Sequence, residues 1–366
     1  LQESWQAYRD RFIQADGRVI DWESDQRTTS EGQAYALLRA VLVDDPSTFA
    51  QVLNWSEVNL ARRQSGRKAP LDQLWTWKWG RQANGQWGTI DGNFASDADI
   101  DACYALILAA IRWKRPEYRQ LAQRKLADLW QHSTAVIQGQ RYLLPGPALA
   151  FQRQDVVTFN PSYLAPYAFR LFAQVDPDRN WMSLVDSSYA ILEQSKSLSQ
   201  VGLPSDWVGL DVKTGRYVGL TKPLFSQYGF DASRVWWRIS LDAVIYNEPR
   251  AQAYLNGQLV HLKQIWQQNR KISAQIDLAG NALVDYDATS QYGMLYIAFQ
   301  QTDAAIAQEI HQQKLLPRYQ NGFWDNQNAY YTQNLVWFGL LSPQVFRQAL
   351  QGQFNLSART GHYADS

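Results

Sequence analysis

Three short stretches place carboxylates where chemistry could use them. Thr28 to Ala36 reads Thr-Thr-Ser-Glu-Gly-Gln-Ala-Tyr-Ala, and Phe94 to Ala102 reads Phe-Ala-Ser-Asp-Ala-Asp-Ile-Asp-Ala. Tyr228 to Arg238 reads Tyr-Gly-Phe-Asp-Ala-Ser-Arg-Val-Trp-Trp-Arg. In the first, Ser30 and Gln33 have capping-box spacing, which predicts a helix opening with Glu31 at its mouth. Taken alone, Glu31 would there do no more than complement the helix dipole. In the second, Asp97, Asp99 and Asp101 alternate like the start of a calcium loop. That loop needs Gly at its sixth place and Glu at its twelfth, and Ala102 and Leu108 stand there, so calcium is excluded. Ser96 with Asp99 reads instead as a variant cap, leaving Asp97 at the helix mouth. In the third, Asp231 and Arg234 have the spacing of one helix face. The guanidinium favours an ionised carboxylate, as a general base requires.

Aromatic residues surround these acids. The chain holds 16 Trp and 19 Tyr, side chains with flat apolar faces that stack on sugars as readily as on protein. Trp75, Trp77 and Trp79 alternate strictly, so an extended backbone would set them on one face as a sugar-stacking shelf, with Trp87 beyond. Other chemistries lack their parts. None of His132, His261, His311 and His362 sits beside a Ser or Cys nucleophile or shows zinc-ligand spacing. No glycine-rich phosphate loop follows a strand. With 35 basic and 34 acidic residues, no electrostatic footprint for nucleic acid or an anionic membrane exists. Cys103 is the single cysteine, which rules out an intramolecular disulfide and reads as a buried helical thiol. No apolar run reaches membrane-spanning length. The chain begins at Leu1 instead of Met, as it would after loss of a leader. Carboxylates among aromatics are the equipment of glycoside hydrolysis.

The elements that must position these residues are helices, and they come in pairs. After an opening helix at 5–13, periodicity predicts 31–43 with one from 46, 97–113 with 116–130, and 161–175 with 178–194. Then follow 231–245 with 249–268, 291–300 with 303–312, and 327–340 with 343–350. Short β-like insertions are expected at 136–144, 208–218 and 272–286. With no linker in the chain, residues 1–366 are expected to form one all-α domain of six helical hairpins closed into a ring. First members open with unusual polar or aromatic residues, and second members with ordinary caps such as Asp45-Pro46. First members are therefore expected inside, their starts converging on one cleft.

Ser30-Glu31-Gly32-Gln33-Ala34-Tyr35, Ala95-Ser96-Asp97-Ala98-Asp99 and Asp231-Ala232-Ser233-Arg234 resemble, in order and spacing, motifs of the family 8 glycoside hydrolases. The similarity continues through Trp77-Lys78-Trp79-Gly80, Phe159-Asn160-Pro161-Ser162-Tyr163-Leu164, Ser205-Asp206-Trp207-Val208 and Tyr330-Tyr331, covering almost the whole chain. Within the family it looks most like the endoglucanases that accompany bacterial cellulose synthase. The resemblance implies an (α/α)6 barrel and cleavage of β-1,4-glucan with inversion, without a metal or cofactor. Glu31 resembles the general acid, Asp231 the general base, and Asp97 the third carboxylate, which holds the sugar at the cleavage point. Asn160, Tyr163, Trp207, Tyr228, Arg234, Tyr330 and Tyr331 are expected to line the cleft with Trp75, Trp77 and Trp79. A periplasmic or secreted location and association with a cellulose synthase complex are also implied. Mixed-linkage glucan, xylan or chitosan as substrate, and a non-catalytic glycan-binding subunit, are the alternatives. The departures, Ala34 and the pair Ala102-Cys103, touch packing.

Two physical expectations follow. Room for a water between acid and base requires their carboxyls to stand roughly 6.5–9.5 Å apart. A helix N-terminus also lowers a carboxyl pKa, whereas a general acid needs it raised. Repulsion from Asp97 together with partial burial is expected to outweigh the dipole at Glu31.

Overall fold

Proline and short polar side chains set the helix boundaries. The structure is a computed structural model describing residues 1–63, 69–153 and 155–354; the tail 355–366 of the expected single domain lies outside the described residues. In chain order the helices are α1 (Gln2–Phe12), α2 (Ser30–Val43), α3 (Pro46–Asn59), α4 (Ser96–Trp113) and α5 (Pro116–Ser133). A single turn, α6 (Ala148–Phe151), precedes α7 (Pro166–Val175), α8 (Met182–Ser195), α9 (Arg234–Tyr246) and α10 (Pro249–Gln258). The last are α11 (Val260–Asn269), α12 (Thr289–Thr302), α13 (Ala304–Ile310), α14 (Tyr330–Leu340) and α15 (Pro343–Leu350). Pro opens α3, α5, α7, α10 and α15, where its missing N–H costs nothing. The Asp45, Glu248 and Ser342 side chains accept from first-turn amides of α3, α10 and α15.

Helices α2, α4, α7, α9, α12 and α14 pack each on the next, and α14 returns to α2, closing an inner ring. Outer helices α3, α5, α8, α10 and α13 each cover the inner helix before them. This is the (α/α)6 barrel, with one difference from the expected pairing. The outer partner of α14 is α1, not α15. Helix α15 instead crosses the end of the ring against α9 and α4, its Phe346 ring meeting Tyr104 at 6.3 Å. The one amphipathic face of α15, with Val345, Phe346 and Ala349 buried, needs the broad apolar floor of the ring. Glycine allows the tightest approach in the ring: a Cβ on Gly339 of α14 would overlap the Gly293 carbonyl oxygen of α12. One contiguous apolar core fills the space between the two layers.

The insertions cluster at the N-terminal end of the inner helices. Strands β1 (Thr28–Thr29), β2 (Ala61–Arg63), β3 (Pro70–Trp75), β4 (Lys78–Arg81) and β5 (Trp87–Asp91) form a β2–β3 hairpin and a β1–β4–β5 sheet. The expected hairpin at 136–144 is present as 134–137 paired with 140–143. The expected pairing at 208–218 is also present, extended by Val156–Phe159. The segment 272–286 differs: it makes only isolated bridges, Tyr228 with Ile276 and Ile276 with Ala282. Among the described residues no helix is long and apolar enough to cross a membrane.

Candidate active site

Glu31 is the second residue of α2, and the cap that starts this helix lies one residue earlier than the spacing predicts. Thr29, in extended conformation, accepts from Gly32 N at 3.0 Å. Gln33 does not turn back to the cap. Its Oε1 accepts from Val19 N at 2.6 Å and its Nε2 donates to Ser56 Oγ at 2.8 Å, pinning the 14–20 loop to α3. Ser30 N donates to the Trp77 carbonyl, so the sheet edge fixes where α2 begins. The expected Ser96–Asp99 cap is also absent. Asp99 Oδ1 accepts from Trp75 N at 3.2 Å and no side chain caps α4, leaving Asp97 in its first turn. Asp231 stands in the turn before α9, not on the helix, with Arg234 N bonded to its carbonyl.

Since α2 and α9 lie three steps apart around the ring, Glu31 and Asp231 come from opposite walls. Arg234 joins them. Its Nη1 donates to Glu31 Oε2 and Asp97 Oδ2, both at 2.8 Å, and its Nη2 donates to Asp231 Oδ1 at 2.7 Å. The separation of the Glu31 and Asp231 carboxyls is thus bounded by two hydrogen bonds and the width of one guanidinium. The Tyr330 hydroxyl donates to Glu31 Oε1 at 3.2 Å, and Asn160 Nδ2 donates to Asp231 Oδ2 at 3.2 Å. The Tyr163 ring lies 5.4 Å from the guanidinium carbon. Exposure separates the acids: the Asp231 and Glu31 side chains are 32% and 20% exposed, and Asp97 is 3% exposed. Only the first two open to a ligand.

Burial pushes the Glu31 carboxyl up to about 7. Arg234 pulls it down, Asp97 and Asp231 push it up, and the Tyr330 hydrogen bond pulls it down. The cause that outweighs the helix dipole is therefore desolvation first and like charge second. Burial also raises the Asp97 carboxyl, against Arg234 and Arg238. Below this layer Arg238 holds Asp101 through both of its terminal nitrogens and donates to the Tyr167 hydroxyl at 2.7 Å.

The structure divides the expected substrate contacts. Asn160, Tyr163, Arg234 and Tyr330 surround the carboxylates, and the Tyr331 hydroxyl donates to the Phe230 carbonyl beside Asp231 at 3.1 Å. Trp207 is part-buried, stacked on Phe151 with an interplanar angle of 1° and edge-on to Tyr163. The tryptophan shelf does not form as a row, because β3 ends at Trp75 and the chain turns before β4. Trp75 is a core residue: its Nε1 donates to Glu57 at 2.9 Å and Lys125 Nζ lies 4.3 Å from its ring centre. Trp79 pairs with Thr28 in the sheet, stacks on Trp87 and meets Trp55 of α3. Trp77 keeps a part-exposed side chain next to the start of α2. Tyr228 is buried, with its hydroxyl accepting from Trp236 Nε1, so it supports α9 from within.

Two site residues carried no role in the sequence reading. The Tyr35 hydroxyl accepts from Arg234 Nη1 at 3.3 Å; helical spacing from Glu31 puts it on the same face, a signal masked by the apolar run that follows. Asp206 accepts from Ala232 N at 2.7 Å and is pushed up to about 7 by burial and by Asp231. Among the described residues no group of three or more His, Cys, Asp or Glu is arranged to hold a metal ion.

The chain is similar to known proteins. An "Endoglucanase" of Xanthomonas axonopodis pv. citri is 37% identical over 243 residues, covering 65% of this chain and 60% of that protein. One of Pseudomonas fluorescens is 34% identical over 238 residues, covering 63% and 58% respectively. The matched segments thus span less than two thirds of either relative's length. The solved structure of an endo-1,4-D-glucanase from Vibrio fischeri superposes with a TM-score of 0.78 at 25% identity, covering 92% of this chain and 93% of that one. The model of the glycosyl hydrolases family 8 matches residues 2–345, and the chain belongs to that family.

Proposed function

We propose that this protein is an endo-acting hydrolase of β-1,4-glucan that inverts the anomeric centre, with Glu31 as general acid and Asp231 as general base. The observation that carries the reading is the pair of part-exposed carboxylates on opposite walls of the ring, joined by Arg234, with burial pushing the Glu31 carboxyl up to about 7. Similarity to endoglucanases supports the substrate class.

In the mechanism, protonated Glu31 donates to the glycosidic oxygen as the bond from C1 to that oxygen breaks. A water attacks C1 from the opposite face and gives its proton to Asp231. Arg234 keeps the two acids in register. Asp97, expected to hold the sugar at the cleavage point, is only 3% exposed and acts instead on Glu31 by its charge. Tyr163, Trp207 and Trp77 offer rings to the sugars, and Asn160, Tyr330 and Tyr331 orient the polar groups around the acids. Residues 1–366 work as one catalytic domain, periplasmic or secreted because a polymer must be met outside the cytoplasm, in association with a cellulose synthase complex. Co-purification with a tagged synthase tests that association.

The central test is hydrolysis of a polysaccharide panel with the product anomer followed by proton NMR. The expected first product from soluble cellulose derivatives is the α-anomer. An initial β-anomer overturns the mechanism. Cleavage of xylan or chitosan with none of cellulose overturns the substrate, and binding without cleavage leaves a glycan-binding subunit.

A further inference from the structure

Asp231 must be aimed at a water from a turn, not from a regular helix, and turns are the less rigid support. The turn is braced from a segment distant in the chain. Residues 229–233 precede α9 as a turn, and a buried turn amide needs an acceptor outside the helix ladder. Ala232 N finds its acceptor in Asp206 Oδ1 at 2.7 Å. Asp206 N in turn donates to the Gln227 carbonyl at 2.7 Å, and Ser226 Oγ donates to the Trp207 carbonyl at 2.7 Å. The 205–207 segment thus grips the chain on both sides of Asp231. Glycine is needed for this approach: a Cβ on Gly229 would run into Asp206 Oδ2.

We propose that Asp206 is a positioning residue for catalysis, a brace supplied from another segment that fixes the turn carrying Asp231 and so sets the direction of the base. The inference rests on the reading of Asp231 as the base. Charges facing Asp206 are Asp231, which opposes its ionisation, and Arg234, which favours it. Burial and Asp231 together hold its carboxyl near 7, so the neutral acid is available to accept from Ala232 without setting a second full charge against the base. An amide can do the same.

The test compares Asp206→Ala, Asp206→Asn and Gly229→Ala with wild type on a soluble glucan. Asp206→Ala is expected to lower kcat about 10–100-fold, the scale of a small misplacement of a catalytic group, with KM little changed. Asp206→Asn keeps the acceptor and is expected to restore kcat to within about threefold of wild type. Gly229→Ala is expected to mimic Asp206→Ala, and the double variant to be no worse than Asp206→Ala alone, because both act through one contact. Asp206→Asn as slow as Asp206→Ala overturns the proposal, as do additive losses in the double variant. A parallel loss of kcat, substrate binding and thermal midpoint in all three variants would reduce Asp206 to a fold-stabilising residue. A wild-type protein that cleaves no glycan refutes the functional reading itself, separately from the proposal.

Discussion

Arg234 Nη1 lies 2.8 Å from Glu31 Oε2, a fixed cation against the residue assigned to carry a proton. That contact favours ionisation, and burial with the charges of Asp97 and Asp231 outweighs it, leaving Glu31 near 7. In the proposed role of general acid the protonated form of Glu31 is the active one, so kcat/KM is expected to fall as pH rises through about 7. Asp97→Asn removes one of the repelling charges and frees Arg234 to favour Glu31. The alkaline limb should then move down by about 0.5–1 in pH. A pH–rate profile with an unmoved limb would show that Asp97 does not tune the acid.

The two accessible acids should fail in chemistry and not in binding. Glu31→Gln and Asp231→Asn are each expected to lower kcat by about a thousandfold, while glucan affinity by titration calorimetry stays measurable. Retention of about a tenth of the rate, a barrier change of only ~1.4 kcal/mol, would remove the residue from its assigned role.

The tryptophans of the expected shelf should separate by function. Trp75→Ala opens a cavity beneath the insertions and leaves Glu57 and Lys125 rearranged, so a stability loss of about 3–5 kcal/mol is expected in denaturant unfolding. Trp77→Ala should leave stability within about 0.5 kcal/mol and weaken binding of long oligosaccharides more than short ones. Equal losses at all lengths would argue against stacking by Trp77.

Asp99 offers a test by pH and stability. Burial pushes its carboxyl up to about 8, and Oδ2 has no partner among the described residues. The folded state therefore holds a proton that the unfolded chain releases near about 4. Asp99 contributes stability that is fully present below that value and lost as pH rises through about 8, each pKa unit being worth about 1.4 kcal/mol. Asp99→Asn is expected to flatten the decline between those limits in urea titrations at fixed pH. An unchanged slope would show that Asp99 is ionised in the fold.

Asp101 and Arg238 form a buried pair at the base of the site, 1% and 0% exposed. Asp101→Ala leaves the guanidinium without its counter-charge, and a loss of about 3–5 kcal/mol is expected. Chemical unfolding of this variant checks it, and a neutral result would mean that the Tyr167 hydroxyl alone satisfies Arg238.

Much of the fold was legible because helix starts are written locally. Asp45-Pro46, Asn247-Glu248-Pro249 and the periodic apolar runs act within a few residues of themselves. They placed the helices and, through their alternation, the inner layer and five of the six outer helices. Glu31 was legible at a helix mouth for the same reason, although Thr29 and not Ser30 caps α2, and Asp231 falls in the turn just before α9.

What lay outside local reach was every choice between competing long-range partners. Gln33 could turn back to Ser30 or reach Val19 and Ser56, and only the packed loop beside α3 decides for the latter. Strict alternation of Trp75, Trp77 and Trp79 fits one extended row equally well with any neighbours. In the fold, Thr76 N donates to the Leu60 carbonyl and Trp77 N to the Asn93 carbonyl. Two different segments thus claim successive amides, and the row breaks between β3 and β4.

Sequence alone determined five of the six helical hairpins and placed Glu31 and Asp97 in first helical turns, since helix starts and periodicity are short-range. Only the tertiary structure decided that α1 and not α15 covers α14, that Trp75 and Tyr228 are core, and that Arg234 ties Glu31 to Asp231 across the ring. The proton on Glu31 belongs to that second group, because desolvation depends on what the distant chain buries, and no local pattern carries that information.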